Sequence, residues 1–146
     1  MELIPMNPSH VAQVAALERV CFTDPWSEAS VAGELDNELS LWLVAVEGET
    51  VLGYVGSQTV LDSTDILNVA VSPDHRGCGI GRALLTELEQ RLRQQGVTEV
   101  LLEVRPSNAP AIALYTSLGF VQVGRRPNYY LNPREDALIL KKEWNT

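Results

Sequence analysis

The sequence predicts an α/β chain, a mixed sheet flanked by helices, and three observations lead there. Strand-like runs at 41–46, 51–56 and 66–71 follow one another with only short turns between them, which makes antiparallel neighbours. A strand, the amphipathic stretch 79–96 and a further strand at 97–104 then form a βαβ unit, whose crossover makes parallel neighbours. The 146 residues, 45% of them hydrophobic, suffice for one sizeable core and predict a single domain over 1–146.

Leu3 and Ile4 open the chain as a short strand. Asn7-Pro8-Ser9 offers a helix start, and Val11, Val14, Ala15, Leu17 and Glu18 continue with helical spacing. Asp24-Pro25-Trp26-Ser27-Glu28 breaks the chain and restarts it. The Ser27 hydroxyl can accept a free amide as N-cap, and Glu28 suits the positive end of a short helix reaching residue 35. Leu41-Trp42-Leu43-Val44-Ala45-Val46, the turn Glu47-Gly48-Glu49 and Val51-Leu52-Gly53-Tyr54-Val55-Gly56 read as strand, hairpin turn and strand. Asp62-Ser63-Thr64-Asp65 turns into a third, Ile66-Leu67-Asn68-Val69-Ala70-Val71.

In 79–96, Ile80, Ala83, Leu84, Leu88 and Leu92 recur every three or four residues with charged and polar residues between them, and Gly96 closes the helix. The run 97–104 is apolar and β-branched on both faces, as in a strand covered on both sides. Ser107 or Asn108 caps a helix over 109–118 that Gly119 ends. Residues 120–124 and 136–140 are the last two strands, joined by a polar, aromatic loop over 125–135.

Nineteen acidic against eleven basic residues leave a formal charge of −8, which argues against nucleic acid as a direct partner and favours a cationic one. No apolar run reaches the roughly 18 to 20 residues of a membrane span. Met1-Glu2-Leu3-Ile4-Pro5 lacks the basic-then-apolar order of a signal peptide, so a cytoplasmic location without a membrane partner is expected. Cys21 and Cys78 stand far apart, and His10 and His75 have no ligand-like spacing, so neither a disulfide framework nor a metal site is expected.

The most informative stretch is 69–85, a strand, a turn and a glycine-rich entry into the strongest helix. Helix N-termini leave donors unsatisfied and carry partial positive charge, and the missing side chains of Gly77, Gly79 and Gly81 let a pyrophosphate approach the backbone. A plain flexible turn and helix cap is the alternative. A dinucleotide fingerprint starting at Gly77 would need glycine where Arg82 stands, and a P-loop would need Lys-Ser or Lys-Thr after its last glycine. R-x-x-G-x-G fits instead, as Arg76-Gly77-Cys78-Gly79-Ile80-Gly81.

That pattern resembles the coenzyme A loop of the GCN5-related N-acetyltransferases (GNAT), and the element order resembles theirs across nearly the whole chain. Further matching positions are Trp26-Ser27, Asn68-Val69-Ala70-Val71, Leu102-Glu103-Val104-Arg105-Pro106-Ser107-Asn108, Ala113-Leu114-Tyr115, Leu118-Gly119-Phe120, Asn128-Tyr129-Tyr130 and Glu135-Asp136-Ala137. With these the chain is most similar, within the family, to the branch that acetylates the N-terminal alanine of a small-subunit ribosomal protein. The resemblance implies the α+β form of the α/β class, a mixed, mostly antiparallel seven-stranded sheet flanked by four helices. It implies acetyl coenzyme A as cosubstrate, no metal, and a basic protein N-terminus as acceptor.

The resemblance also implies a role for each matching position. Val69, Ala70 and Val71, chiefly the amides of Val69 and Val71, contact the acetyl and pantetheine portion. Arg76, Gly77, Cys78, Gly79, Ile80, Gly81 and Arg82 form the pyrophosphate loop, and Asn108 contacts the coenzyme from the second βα turn. Glu103 is the general base and Tyr115 the general acid. Tyr129 and Tyr130 bind the acceptor or pin their loop by packing, and Trp26 lines the acceptor groove or staples the first two helices. Pro127 departs from the family pattern inside the segment that selects substrate.

The bare chemistry asks for the same parts. An α-amine, with a pKa of about 7.7 to 8.0, must lose a proton before it attacks a thioester, and the departing thiolate must gain one. Direct transfer needs no enzyme thiol, so Cys78 is a small residue in its loop and not an acetyl-enzyme nucleophile. Tyr115 lies roughly 10 Å into its helix at about 1.5 Å per residue. Residues 103–106 span a similar length, so Glu103 and Tyr115 can face one cleft. An acetyltransferase for lysines, other N-termini or small amines stands as the alternative, and a non-catalytic coenzyme sensor as a third reading against which the presence of both Glu103 and Tyr115 argues.

Overall fold

A computed structural model of the protein describes residues 1–144. The described elements are β1 (Glu2–Pro5), a 3-10 turn (Pro8–His10), α1 (Val11–Cys21), α2 (Glu28–Glu34), β2 (Ser40–Glu47), β3 (Thr50–Val60), β4 (Ser63–Val71), a second 3-10 turn (Pro73–His75), α3 (Ile80–Gln94), β5 (Glu99–Val104), α4 (Ala109–Ser117), β6 (Val121–Leu131) and β7 (Arg134–Glu143). Seven strands form one sheet in the order β1-β2-β3-β4-β5-β7-β6. Only β4 and β5 are parallel; every other pair is antiparallel.

The two faces of the sheet carry separate cores. On one, Leu84, Leu88 and Leu92 of α3 and Tyr115 of α4 pack with Leu43, Val55, Leu102 and Val104 of the strands. On the other, Val14 of α1 and Val31 of α2 pack with Trp42, Val44, Tyr54 and Ala70. Burying such side chains contributes roughly 1.5 to 3 kcal/mol each. The caps follow the sequence: the Ser27 hydroxyl accepts from the Ser30 N–H at 3.0 Å, and Asn108, not Ser107, caps α4 by accepting from the Ala111 N–H at 3.3 Å.

Three boundaries differ from the sequence reading. β3 and β4 extend toward one another through Val60 and Ser63, so that Ser63, Thr64 and Asp65, expected in a turn, are paired with β3. Thr64 is buried and its hydroxyl shares a 2.7 Å hydrogen bond with that of Thr59, so β-branched residues prolong the ladder and leave the turn to Leu61 and Asp62. The expected loop over 125–135 is mostly hairpin. β6 is an edge strand, where polar residues and Pro127 do not interrupt a ladder, and its register shifts between Arg126 and Tyr130. β5 begins at Glu99 and alternates half-buried with buried residues, so its two faces are unlike.

Candidate active site

β4 and β5 pair only through Ser63–Asp65 and Glu99–Leu101. Beyond that point β4 keeps β3 and β5 keeps β7, so a gap opens inside the sheet between two strands that each retain an outer partner. The separation begins where β4 carries an extra residue: Gly56 pairs with Asn68 and Ser57 with Ile66, which leaves Leu67 as a bulge that bends the strand. The Ser72 N–H donates to the Leu52 carbonyl at 2.7 Å. By strand alternation Ala70 spends its backbone groups on β3, while the N–H groups of Val69 and Val71 face the gap.

At the far end of β4 the chain enters α3 through Gly77 and Gly79, whose φ angles are +79° and +81°. A Cβ at either would meet nothing within 4 Å, so the space over this loop is open to a ligand. Gly79 caps α3 without a side chain, which leaves the N–H groups of Ile80, Gly81 and Arg82 for an external acceptor. These donors, at the positive end of a 15-residue helix, suit a pyrophosphate. The side chains nearby are engaged elsewhere. Ile80 is buried in the core, Arg82 donates to the Ser117 hydroxyl at 2.7 Å, and Arg76 reaches the Cys21 sulfur at 3.6 Å. Cys78 is exposed, its Sγ 3.9 Å from the Arg76 carbonyl. Asn108 commits its side-chain oxygen to the α4 cap.

Glu103 and Tyr115 belong to opposite faces of the sheet. Leu102 and Val104 point into the α3/α4 core, so Glu103 between them projects to the α1/α2 face. Arg126 Nε lies 3.4 Å from its carboxylate, and the nearness of that carboxylate, then burial, raises the Tyr129 pKa. Tyr115 is 6% exposed in the α3/α4 core, its ring edge-on to Phe120 at 5.7 Å. Burial first, and then Tyr130, lifts its phenol far above the ordinary value, so it stays protonated. Tyr130 lies within electrostatic reach of both Glu103 and Tyr115, and burial pushes its own pKa up to about 12.

Two arrangements were not read from the sequence. Arg105 holds the tip of the β6–β7 hairpin to the end of β5, donating to the Pro133 carbonyl at 2.7 Å and pairing with Glu135 at 3.0 Å. The Ser107 hydroxyl joins them at 2.8 Å from Glu135. The other is a buried cluster around Glu18, whose signal was a carboxylate standing among the inward-spaced positions of α1. Trp26 sits at its edge, half-buried and edge-on to Trp42 at 5.4 Å, an arrangement that favours packing over lining a groove. Among the described residues no group of three or more His, Cys, Asp or Glu is placed to hold a metal ion, and no helix is long and apolar enough to cross a membrane.

The model of the acetyltransferase (GNAT) family matches residues 11–120. The chain belongs to that family. As a GNAT enzyme it is an acetyl-coenzyme-A-dependent N-acetyltransferase. The chain is 41% identical over 126 residues to the [ribosomal protein bS18]-alanine N-acetyltransferase of Escherichia coli K12, covering 85% of this chain and 84% of that one. The enzyme of the same name from Haemophilus influenzae is 37% identical, covering 85% and 86%. The crystal structure of the ribosomal-protein-S18-alanine N-acetyltransferase from Escherichia coli superimposes with a TM-score of 0.91 at 35% identity, covering 99% of this chain and 94% of that one.

Proposed function

We propose that this GNAT enzyme acetylates the N-terminal α-amine of a protein, the alanine that begins ribosomal protein bS18, with Glu103 as general base and Tyr115 as general acid. The observation that carries the reading is the 41% identity to an enzyme of that activity, spread over nearly the full length of both chains. The gap between β4 and β5 supports it, because it leaves an opening through which an acceptor on the Glu103 face and a donor on the Tyr115 face can meet.

Acetyl coenzyme A supplies the activated acyl group as a thioester. The N–H groups of Ile80, Gly81 and Arg82 and the loop amides bind its pyrophosphate, and Val69 and Val71 line its pantetheine. An N-terminal ammonium replaces the Arg126 guanidinium beside Glu103, an exchange of like charges at a pair whose arginine side chain is 59% exposed. Glu103 then takes the proton that frees the amine, directly or through water. A β4 amide, that of Val71, donates to the carbonyl oxygen as the amine nitrogen bonds to the carbonyl carbon; the C–S bond then breaks, Tyr115 gives its proton to the departing sulfur, and the second nitrogen proton leaves to water, from which Tyr115 is reprotonated.

The formal charge of −8 favours a basic acceptor by steering. Residues 1–146 act in this reading as one catalytic domain, placed in the cytoplasm with ribosomal proteins. Mass spectrometry of acetyl transfer tests it, with alanine-starting basic peptides, internal-lysine peptides and polyamines in one competition. Acetyl gain on the alanine α-amine is expected. Transfer to lysine or polyamine instead would replace the acceptor, and coenzyme binding without transfer to any amine would overturn the enzymatic assignment.

A further inference from the structure

Glu18 of α1 has no solvent exposure, and donors surround its carboxylate. The Trp26 N–H donates to Oε1 at 2.8 Å, Asn68 Nδ2 donates to both oxygens at 3.1 and 3.0 Å, and the Tyr54 hydroxyl donates to Oε2. Only a side chain that accepts at both ends satisfies all of them; an amide would turn its own NH2 onto one of the donors. Burying a carboxylate is costly even when it is fully hydrogen-bonded, and an apolar residue of similar volume would pack α1 at no such cost. Packing therefore does not account for it, and its partners suggest what does.

Trp26 belongs to the connection between α1 and α2, and Asn68 follows the Leu67 bulge at which β4 parts from β5. One carboxylate thus ties that connection to the strand whose next outward N–H groups, Val69 and Val71, line the gap. The tie lies on the α1/α2 face, the face to which Glu103 projects. We propose that Glu18 is a positioning residue for the acceptor side of the reaction: through Trp26 and Asn68 it sets the spacing between the α1–α2 connection and the open half of β4, and so the shape of the acceptor's entrance. This rests on the proposed function only in taking the Glu103 face as the acceptor side. The glycine loop and α3, which hold the pyrophosphate end of the coenzyme, are not tied to Glu18.

The test compares Glu18→Gln, the swap Glu18→Gln with Asn68→Asp, and Tyr54→Phe against wild type, using whichever acceptor wild type acetylates. In Glu18→Gln the acceptor KM is expected to rise about tenfold, and the acetyl coenzyme A Kd, whose pantetheine contacts share β4 but whose pyrophosphate stays on the glycine loop, by no more than about threefold. Amides of 22–27 and 67–71 should exchange with deuterium about tenfold faster while those of α3 keep their protection. The swap, which restores one carboxylate and one amide, recovers most of both losses. Tyr54→Phe, which removes a donor from neither the connection nor β4, lowers the melting temperature and leaves the acceptor KM as it was.

An acceptor KM in Glu18→Gln within about twofold of wild type would overturn the proposal, as would losses of acceptor and coenzyme binding in equal measure. Preference of wild type for lysine overturns the acceptor assignment alone, since the comparison then runs on lysine. With no transfer to any amine, the exchange pattern decides: unchanged protection at 22–27 and 67–71 overturns the role of Glu18.

Discussion

The Arg105 guanidinium lies 4.3 Å from the centroid of the Tyr130 ring. The same side chain donates to the Pro133 carbonyl and pairs with Glu135, so one planar cation sets the angle at which the β6–β7 hairpin stands over the end of β5. Lysine cannot stack and fork at once. Arg105→Lys is expected to raise the acceptor KM roughly two- to fivefold, the size of one lost cation–π contact, with coenzyme affinity unchanged. Steady-state kinetics with an alanine-starting peptide checks this.

Removing the proposed acid and base should separate chemistry from binding. Glu103→Gln and Tyr115→Phe are each expected to lower kcat by roughly 100-fold or more, the usual contribution of a positioned proton-transfer group. Calorimetric titration with acetyl coenzyme A should give wild-type affinity in both. Unaltered turnover in the two variants would remove their assigned roles.

Gly56 is a position where size alone decides. A Cβ there would fall 2.5 Å from Cε2 of the Trp42 indole, which is itself locked by Trp26, Tyr54 and a 3.1 Å hydrogen bond to Glu34. Gly56→Ala is expected to destabilise the fold by about 3 kcal/mol, read as a lower denaturant midpoint at unchanged slope.

Gly79 tests the phosphate cradle without crowding it. Its φ of +81° is strained for alanine, yet an added Cβ meets nothing within 4 Å. Gly79→Ala should turn the loop amides out of line and weaken acetyl coenzyme A binding about tenfold, while the apo protein loses only about 1 kcal/mol of stability. Coenzyme titration beside a denaturant melt separates the two effects.

The four phenols should titrate late. Burial, with a hydrogen bond to Glu18, raises Tyr54; burial and then Tyr130 raise Tyr115; burial and then Glu103 bring Tyr130 up to about 12; the nearby Glu103 carboxylate, then burial, raises Tyr129. Each folded value stands above the unfolded one of about 10. The stability these groups contribute is therefore complete below about pH 10 and lost as pH rises through the folded values, for Tyr130 between about 10 and about 12. Ultraviolet titration should show little phenolate at pH 10 and a sharp rise with unfolding.

Local patterns carried much of the fold into the sequence. The leucines of α3, the Ser27 cap and the glycines that end α3 and α4 each mark their element, because the physics behind them acts over a few residues. The β6–β7 hairpin was harder to read, because an edge strand need not alternate and Pro127 imitates a loop. At the site, Arg76 to Arg82 announce an anion cradle by composition. The opposite-face placement of Glu103 and Tyr115 depends on strand parity, and the gap opens at a one-residue bulge in β4; spacing alone reveals neither. The Arg105 clamp joins residues 28 and 30 positions apart, and the Glu18 cluster brings in Tyr54 and Asn68 from 36 and 50 positions away, a range at which pattern is silent.

The parted strands β4 and β5 also bear on how much folded enzyme a cell holds. A sheet that gives up ladder bonds in its interior leaves donors and acceptors that only solvent or an extended ligand completes. An acyl-pantetheine arm seated there, as the proposed function has it, would act as a missing strand, and mass action would then favour the native state by about 2.7 kcal/mol when the coenzyme stands at 100 times its Kd. Starvation that drains acetyl coenzyme A would thus thin the population of the enzyme as well as idle it, coupling turnover of the protein to the carbon state of the cell.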